Sequence, residues 1–451
     1  MFKVTAADLL VANLGTRSVE SPLELSTEPD DGLGDFVSDD TRILYQIERR
    51  MGQPPGEELT LEKAGPRQRL FFNPRTTRAA IVTCGGLCPG LNNVIRSIVL
   101  QLHHNYHVTD VLGIRYGYHG FDSAAIAPPI PLTLELVEDI HRQGGSILGS
   151  SRGPEETARI AEYLRRERIN LLFCIGGDGT QRGAHAIAED VRRRGLPVAV
   201  VGVPKTIDND LQFVARTFGF ATALEKARDV VDAAHVEAKG APNGLGLVKL
   251  MGREAGFIAA GATLASQEAN YTLIPEVAFP LEGEQGFLAV LKRRMLARSH
   301  AVVVVAEGAG QNLIPREHAE YDASGNRKLQ DIGVFLRDRI SAYFKEEKVP
   351  LNMKYFDPSY LIRSVPANSD DALLCDTMGR YAVHAAMAGK TDILVGLWHG
   401  TFVHVPISAA VAVPKRLSPE SELWLSVLES TGQPRWGSTC RRRSCPADTT
   451  A

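Results

Sequence analysis

From residue 79 onward the chain alternates short apolar runs with amphipathic stretches, and no other feature restricts its fold as much. AAIVTC (79–84), LLFCIGG (171–177) and VAVVGV (198–203) are apolar or small throughout, not on alternate residues, and VLGIRY (111–116) is so up to Arg115. Such runs suit strands buried on both faces, as in parallel sheets covered by helices. Between them, TARIAEYLRRERI (157–169) and AHAIAEDVRRRG (184–195) carry apolar residues at helical spacing. Strand and helix in alternation predict an α/β fold built on a doubly wound parallel sheet. A second set follows the amphipathic stretch ATALEKARDVVDAAHVEA (221–238). It comprises LGLVKLMG (245–252), AVVVVAEGA (301–309), the helix GVFLRDRISAYFKEE (333–347), DALLCDTMGRYAVHAAMAG (371–389) and the strands TDILVGL and TFVHVPI.

At 451 residues the chain has room for two such domains and a deep cleft between them. The expected organisation is an N-terminal extension over 1–77, a first Rossmann-like domain over 78–220 completed by 364–420, and a second over 221–363. A disordered tail is expected over 430–451. Lys and Arg total 50 against 53 Asp and Glu, so the formal charge of −3 gives no global attraction to nucleic acid. No window approaches the roughly 20 apolar residues that span a bilayer, and MFKVTAADLLVANLG lacks a basic segment feeding an apolar core. Six cysteines without a C-x-x-C pair fit a reducing compartment, so the expected location is the cytoplasm.

In open α/β sheets ligands sit beyond the carboxyl ends of the strands, so the loops after the apolar runs are the candidates for chemistry. The first, 85-GGLCPGLNNVIR-96, is a Gly-rich strand-to-helix turn that serves either tight packing or a phosphate. It matches neither G-x-G-x-x-G nor the Gly-Lys-Ser/Thr of a P-loop. In the second, 176-GGDGTQRG-183, glycines on both sides of Asp178 let a polyphosphate approach the backbone, and the carboxylate offers a hard oxygen to Mg²⁺; an ordinary Asp-Gly turn is the alternative. The third, 204-PKTIDNDL-211, places Asp208 and Asp210 on one side if the chain stays extended, with Thr206 beside them. One carboxylate of such a pair can accept a proton while the other supports a metal; otherwise the pair caps a helix. The fourth, 251-MGREAG-256, gives the Arg253 guanidinium access to anionic oxygens at a strand end.

Taken in order and spacing, GGLCPGLNN, GGDGT, PKTIDND, MGREAG, the Pro275-Glu276-Val277 stretch and 360-YLIRSVPANSDDA-372 resemble the 6-phosphofructokinases over about residues 78–420. The chain is most similar to the plant and trypanosomatid type of ATP-dependent enzyme. The resemblance implies transfer of the ATP γ-phosphoryl to the 1-hydroxyl of fructose 6-phosphate with Mg²⁺ as cofactor, in a homo-oligomer (dimer or tetramer) under allosteric control, without nucleic-acid or membrane partners. It makes the first domain nucleotide-binding and the second sugar-phosphate-binding. By the same resemblance Asp208 is the proton acceptor, with Thr206 near the transferring phosphate and Asp178 the Mg²⁺ carboxylate. Gly86, Arg115, Arg152, Gly153, Gly177, Gly179, Thr180 and Lys205 fall at nucleotide positions. Ile207, Met251, Gly252, Arg253, Glu276, Lys354, Tyr360 and Arg363 fall at sugar-phosphate positions; Arg253 also serves the transition state, and Lys354 stands where bacterial relatives bring an Arg from a neighbouring subunit.

Pyrophosphate-dependent members resemble GGDD followed by PKTIDND, their second Asp filling the space of an ATP α-phosphate. Here Gly179 leaves that space open while Lys205 keeps the cation, which favours ATP. The other readings are a pyrophosphate-dependent enzyme and a non-catalytic regulatory subunit of the same fold. The cluster 103-HHNYH-107 reads as a solvated helix end, Cys84 and Cys88 as packing residues, and Arg441-Arg442-Arg443 as a solvated terminus.

Overall fold

The computed structural model describes residues 4–437 except 29, 49–50, 52–57, 123–126, 154–155, 316–319 and 322–327. The strands of its two principal sheets are β1 (Arg42–Leu44), β2 (Thr60–Lys63), β3 (Ala79–Thr83), β4 (Val111–Ile114), β5 (Ile130–Pro131), β6 (Leu171–Gly176) and β7 (Ala199–Pro204), then β8 (Gly244–Leu250), β9 (Tyr271–Leu273), β10 (His300–Ala306), β11 (Asn352–Phe356), β12 (Ile393–Trp398) and β13 (Thr401–Pro406). Helices important below are α1 (Leu91–Leu100), α2 (Thr157–Arg166), α3 (Asp178–Arg193), α4 (Phe220–Lys239), α5 (Phe257–Ser266), α6 (Ile332–Glu346), α7 (Ser369–Met387) and α8 (Glu422–Thr431).

The chain divides into two compact units: 1–226 with 318–328 and 359–415, and 227–317 with 329–358 and 416–451. In the first, nine strands lie in the order β1-β2-β13-β12-β7-β6-β3-β4-β5. The run from β12 to β4 is parallel, and the strands outside it pair antiparallel. β3, β6 and β7 are buried at every position, as continuous apolar runs covered on both faces must be. From β3 the chain winds outward to β4, then returns to β6 on the other side of β3. The loops after β3 and β6 therefore flank the point where strand order reverses, the place where such sheets hold ligands. The second unit has a four-stranded, wholly parallel sheet, β9-β10-β8-β11, with its own core around Leu247, Phe287, Val303, Leu336 and Phe344.

Two N-terminal strands show what residues before 78 contribute. β1 and β2 extend the first sheet at the edge of β13, with Glu62 opposite His404. There the buried Glu62 carboxylate receives Lys390 at 2.8 Å, Arg67 at 3.0 Å and His404 at 3.0 Å. Burial opposes ionisation of Glu62, but the neighbouring His404 and Lys390 outweigh it and hold the carboxyl down to about 2.

The expectation of a disordered tail from residue 430 is corrected over 430–437. α8 runs to Thr431, and Gln433 is buried with its side chain bonded to both the N–H and C=O of Thr272. Trp436 packs on the second core and donates to the Gln285 carbonyl. A hydrophilic stretch with one Gln and one Trp reads as tail, yet those two residues satisfy a strand edge and cover aromatic surface. Residues 438–451, including Arg441-Arg442-Arg443, lie outside the described residues.

Candidate functional site

Three consecutive strand ends of the first unit bring a cationic group and a carboxylate group together. After β3, the loop turns at Gly85 and enters α1 through Gly90, both at positive φ. At Gly86 a Cβ would stand 3.0 Å from Arg363 Nη1 and 3.1 Å from Arg152 Nη2, and at Gly85 one would stand 3.2 Å from Lys205 Nζ. Three cations thus surround the two glycines, and a side chain on either glycine would fill the space they face. Lys205 is 6% exposed and donates to the Gly86 carbonyl at 2.7 Å; burial pushes its pKa down. Among the described residues neither Lys205 nor Arg152 has a carboxylate within ion-pair distance. Gly153 follows Arg152 at positive φ.

After β6, Gly177 is the N-cap of α3, Asp178 and Gly179 open its first turn, and Thr180 is buried. Asp178 Oδ2 pairs with Arg182 at 2.8 Å, one turn along the same helix. Its Oδ1 is buried without a hydrogen-bond partner, as is Oδ1 of Asp210. Burial raises the Asp178 pKa, the Arg182 charge opposes the rise and the Asp210 charge adds to it, so the two carboxylates are near neighbours. Neighbouring carboxylates that each keep an unpartnered oxygen fit a divalent cation. No cluster of three or more His, Cys, Asp or Glu suited to a metal occurs among the described residues, so the set fits an ion that completes its shell with phosphate and water, as Mg²⁺ does. At Gly179 a Cβ would meet nothing within 4 Å, and φ is not positive, so neither packing nor strain accounts for glycine there.

After β7 the chain does not stay extended, which corrects one expectation. Asn209 adopts φ 55° and its side chain bridges the Ala215 carbonyl (3.1 Å) and the Thr217 N–H (3.0 Å). Asp208 and Asp210 therefore flank a turn and do not share one side of a strand. The helix-cap alternative also fails, because the next helix, α4, begins at Phe220. Thr206 Oγ1 accepts the Asp208 N–H at 3.1 Å, the Thr206 carbonyl accepts Thr217 Oγ1 at 2.6 Å, and Ile207 is buried.

Two fixing residues escaped the sequence reading. Gln181, fully buried, donates its amide toward the carbonyls of Cys174 (3.3 Å), Gly176 (2.9 Å) and Val203 (3.3 Å), joining the ends of β6 and β7. Lys415 lies far along the chain, but its N–H donates to Asp210 O at 2.8 Å and its Nζ to Val214 O at 2.6 Å. Burial lowers the Lys415 ammonium to about 8, against the Asp210 charge. Gln181 sits inside the GGDGTQRG motif next to the buried Thr180, between the exposed Gly179 and Arg182, and its residue type alone does not mark it as buried; nothing local signals Lys415.

Arg115, after β4, lies over the Tyr116 ring at 5.1 Å and donates to its hydroxyl. Tyr360 and Arg363 fall in the first unit, and the Arg363 guanidinium lies 4.8 Å over the exposed Tyr360 ring. The structure thus brings Arg363 to the Gly86 loop.

The second unit holds the other candidates. The loop after β8 turns through Gly252 at φ 129°, where a Cβ would press on the Ala255 carbonyl at 2.6 Å. Gly308, after β10, abuts the Arg253 carbonyl and donates to that of Gly252, fixing Met251, Gly252 and Arg253 in place. The Glu276 carboxylate accepts the Gly256 N–H at 3.0 and 3.1 Å and the Leu417 N–H at 2.8 Å. Burial raises its pKa against those bonds. Lys354 is exposed on the edge strand β11.

Comparison with known proteins decides the family. The model of the phosphofructokinase family matches residues 78–386, more than half of the chain. The chain belongs to the phosphofructokinase family. It is 46% identical over 434 residues to the ATP-dependent 6-phosphofructokinase of Borreliella burgdorferi, covering 95% of this chain and 97% of that one. It is 47% identical over 402 residues to the enzyme of that name from Trypanosoma brucei brucei, covering 87% and 82%. Among solved structures it resembles the pyrophosphate-dependent phosphofructokinase of Marinobacter aquaeolei (TM-score 0.65, 21% identity, 80% and 92% covered). It also resembles Pichia pastoris phosphofructokinase in the T-state (TM-score 0.61, 20% identity, 79% and 37% covered). At those identities the structures speak for the fold. No helix among the described residues is long and apolar enough to cross a membrane.

Proposed function

We propose that this chain is an ATP-dependent 6-phosphofructokinase, transferring the ATP γ-phosphoryl to the 1-hydroxyl of fructose 6-phosphate to give fructose 1,6-bisphosphate and ADP. The observation that carries the reading is the meeting of three cations over Gly85 and Gly86 with the Asp178 and Asp210 carboxylates, at adjacent ends of one parallel sheet. A polyphosphate needs the first group and its divalent cation needs the second.

In this reading Lys205, Arg152 and the backbone at Gly86, Gly153, Gly177 and Thr180 hold the donor phosphates, with Arg115 at the nucleotide. Asp178 holds Mg²⁺, which when bound would offset charge on the phosphates. Asp208 takes the proton of the 1-hydroxyl as that oxygen bonds to the γ-phosphorus, and the bond from phosphorus to the β-phosphate bridging oxygen breaks, leaving ADP. Thr206 stands beside the transferring group. Met251, Gly252, Arg253 and Glu276 of the second unit serve the sugar, and Arg253 offsets charge on the moving phosphoryl. Tyr360, Arg363 and Lys354 are assigned to the 6-phosphate, Lys354 as an exposed side chain able to serve a neighbouring subunit of a homo-oligomer. The open space at Gly179 supports ATP over pyrophosphate as donor, and the proposed location is the cytoplasm.

The test is fructose 1,6-bisphosphate formation by the purified chain with Mg²⁺ and either ATP or pyrophosphate. Turnover with ATP supports the reading. Turnover with pyrophosphate alone would refute the donor, and none with either would point to a regulatory subunit.

A further inference from the structure

Arg363 stands 277 positions after Gly86 in the sequence, and the resemblance to the 6-phosphofructokinases assigns it to a sugar phosphate. Its surroundings in the first unit point elsewhere. Its Nη1 and the Arg152 Nη2 flank the same point above Gly86, while Lys205 Nζ reaches the neighbouring Gly85 and bonds the Gly86 carbonyl. Three positive groups brought together around a loop without a side chain repel one another, and Lys205 is almost wholly removed from water. Lys205 and Arg152 have no carboxylate within ion-pair distance among the described residues, so an anion placed in the space that they and Arg363 Nη1 line would offset the repulsion.

The position of Arg363 is fixed by its neighbours. Asn92 of α1, buried, donates to the Gln143 carbonyl and accepts the Ile147 N–H, which holds the 143–147 loop. Gly144 in that loop lies so close to the Ser364 carbonyl that a Cβ would overlap it. Ser364 Oγ in turn donates to the Tyr360 carbonyl at 2.8 Å, and the Tyr360 ring underlies the guanidinium. Backbone packing on one side and a ring on the other thus aim Arg363 at the Gly86 loop.

We infer that Arg363 is a ligand of the donor polyphosphate, closing with Arg152 and Lys205 a three-cation cradle over Gly85 and Gly86, in addition to any contact with the sugar phosphate. The inference rests on the proposed kinase reading but names a residue that reading gives to the other substrate. A planar guanidinium can hold two phosphate oxygens at once, so its loss should be visible without turnover.

The experiment is calorimetric titration of the full-length protein with the Mg²⁺ complex of a non-hydrolysable ATP analogue, with no sugar phosphate present. Arg363→Gln should weaken binding by about tenfold or more, and Arg363→Lys by less, because the charge remains but the fork is lost. In steady state the KM for ATP should rise in step. Unchanged analogue affinity in Arg363→Gln, with only the KM for fructose 6-phosphate raised, would overturn the inference. If Arg363→Gln does not fold, Arg363→Lys decides: weaker analogue binding at wild-type melting temperature supports the cradle, and wild-type binding refutes it. Failure of the kinase reading would show separately, as a wild-type protein that makes no fructose 1,6-bisphosphate, and the analogue titration would still decide on Arg363.

Discussion

Gly179→Asp separates a ligand role for the glycine from a structural one. The added Cβ meets nothing within 4 Å and φ needs no glycine, so the substitution brings neither overlap nor backbone strain. The site is in the first turn of α3, where an acidic residue interacts favourably with the helix dipole and any residue but proline is a better helix former than glycine. The melting temperature should therefore stay within ~2 °C of wild type or rise. The ligand sees a different change. A carboxylate about 6 Å from a donor phosphate, at an effective dielectric near 20, adds roughly 3 kcal/mol of repulsion, or about 100-fold in kcat/KM for ATP. Pyrophosphate, which has no third phosphate to place over residue 179, should be affected much less. Steady-state kinetics with ATP, with pyrophosphate run as substrate and as competitive inhibitor, together with a thermal melt, measure all of this. Equal losses for both phosphates, or an unchanged kcat/KM for ATP, would show that the space at Gly179 is not where the nucleotide's extra phosphate lies.

Asp208→Asn should lower kcat by a factor on the order of 10² or more while the affinity for both substrates stays near wild type, measured by stopped-time product assay and equilibrium binding. Lys415→Met removes the ammonium from the Val214 carbonyl at the base of the Asp208 turn; kcat should fall more than the melting temperature, and a purely global destabilisation would contradict that role. Glu62→Gln takes the buried carboxylate from Lys390 and Arg67, leaving them the partly exposed Asp39 as carboxylate partner, and should cost up to about 3 kcal/mol by thermal or denaturant unfolding near pH 7. The same variant changes acid sensitivity. The Glu62 carboxyl is depressed to about 2 when folded, so its contribution is present above its ordinary pKa and is lost as pH falls toward 2. His404, buried and lowered against the pull of Glu62, acts in the same direction, since acid must charge it on unfolding first. Melting temperature in the wild type should decline more steeply between pH 5 and pH 3 than in Glu62→Gln.

The parts legible in the sequence are those where one short stretch carries its own constraint. β3, β6 and β7 are continuous apolar runs, and only a strand covered on both faces keeps six such residues dry, so the parallel core followed from AAIVTC, LLFCIGG and VAVVGV alone. The carboxylates and the buried lysine were legible too, because each directly follows such a run. Relations between distant residues were not legible. Asn209 turns the chain between two aspartates by bonding residues 215 and 217, Lys415 holds the Asp210 carbonyl from 205 positions away, and Arg363 reaches Gly86 through a loop braced by Asn92. The same limit hid the role of Gln433, whose amide completes a strand edge at Thr272. In each case an ordinary polar side chain satisfies a backbone group far along the chain, and residue type carries no record of which backbone group it will be. A motif fixes what a loop can do, while the orientation of its groups depends on polar contacts made only after the sheet has formed; Gln181, tying the ends of β6 and β7 through three carbonyls, is where those two levels meet.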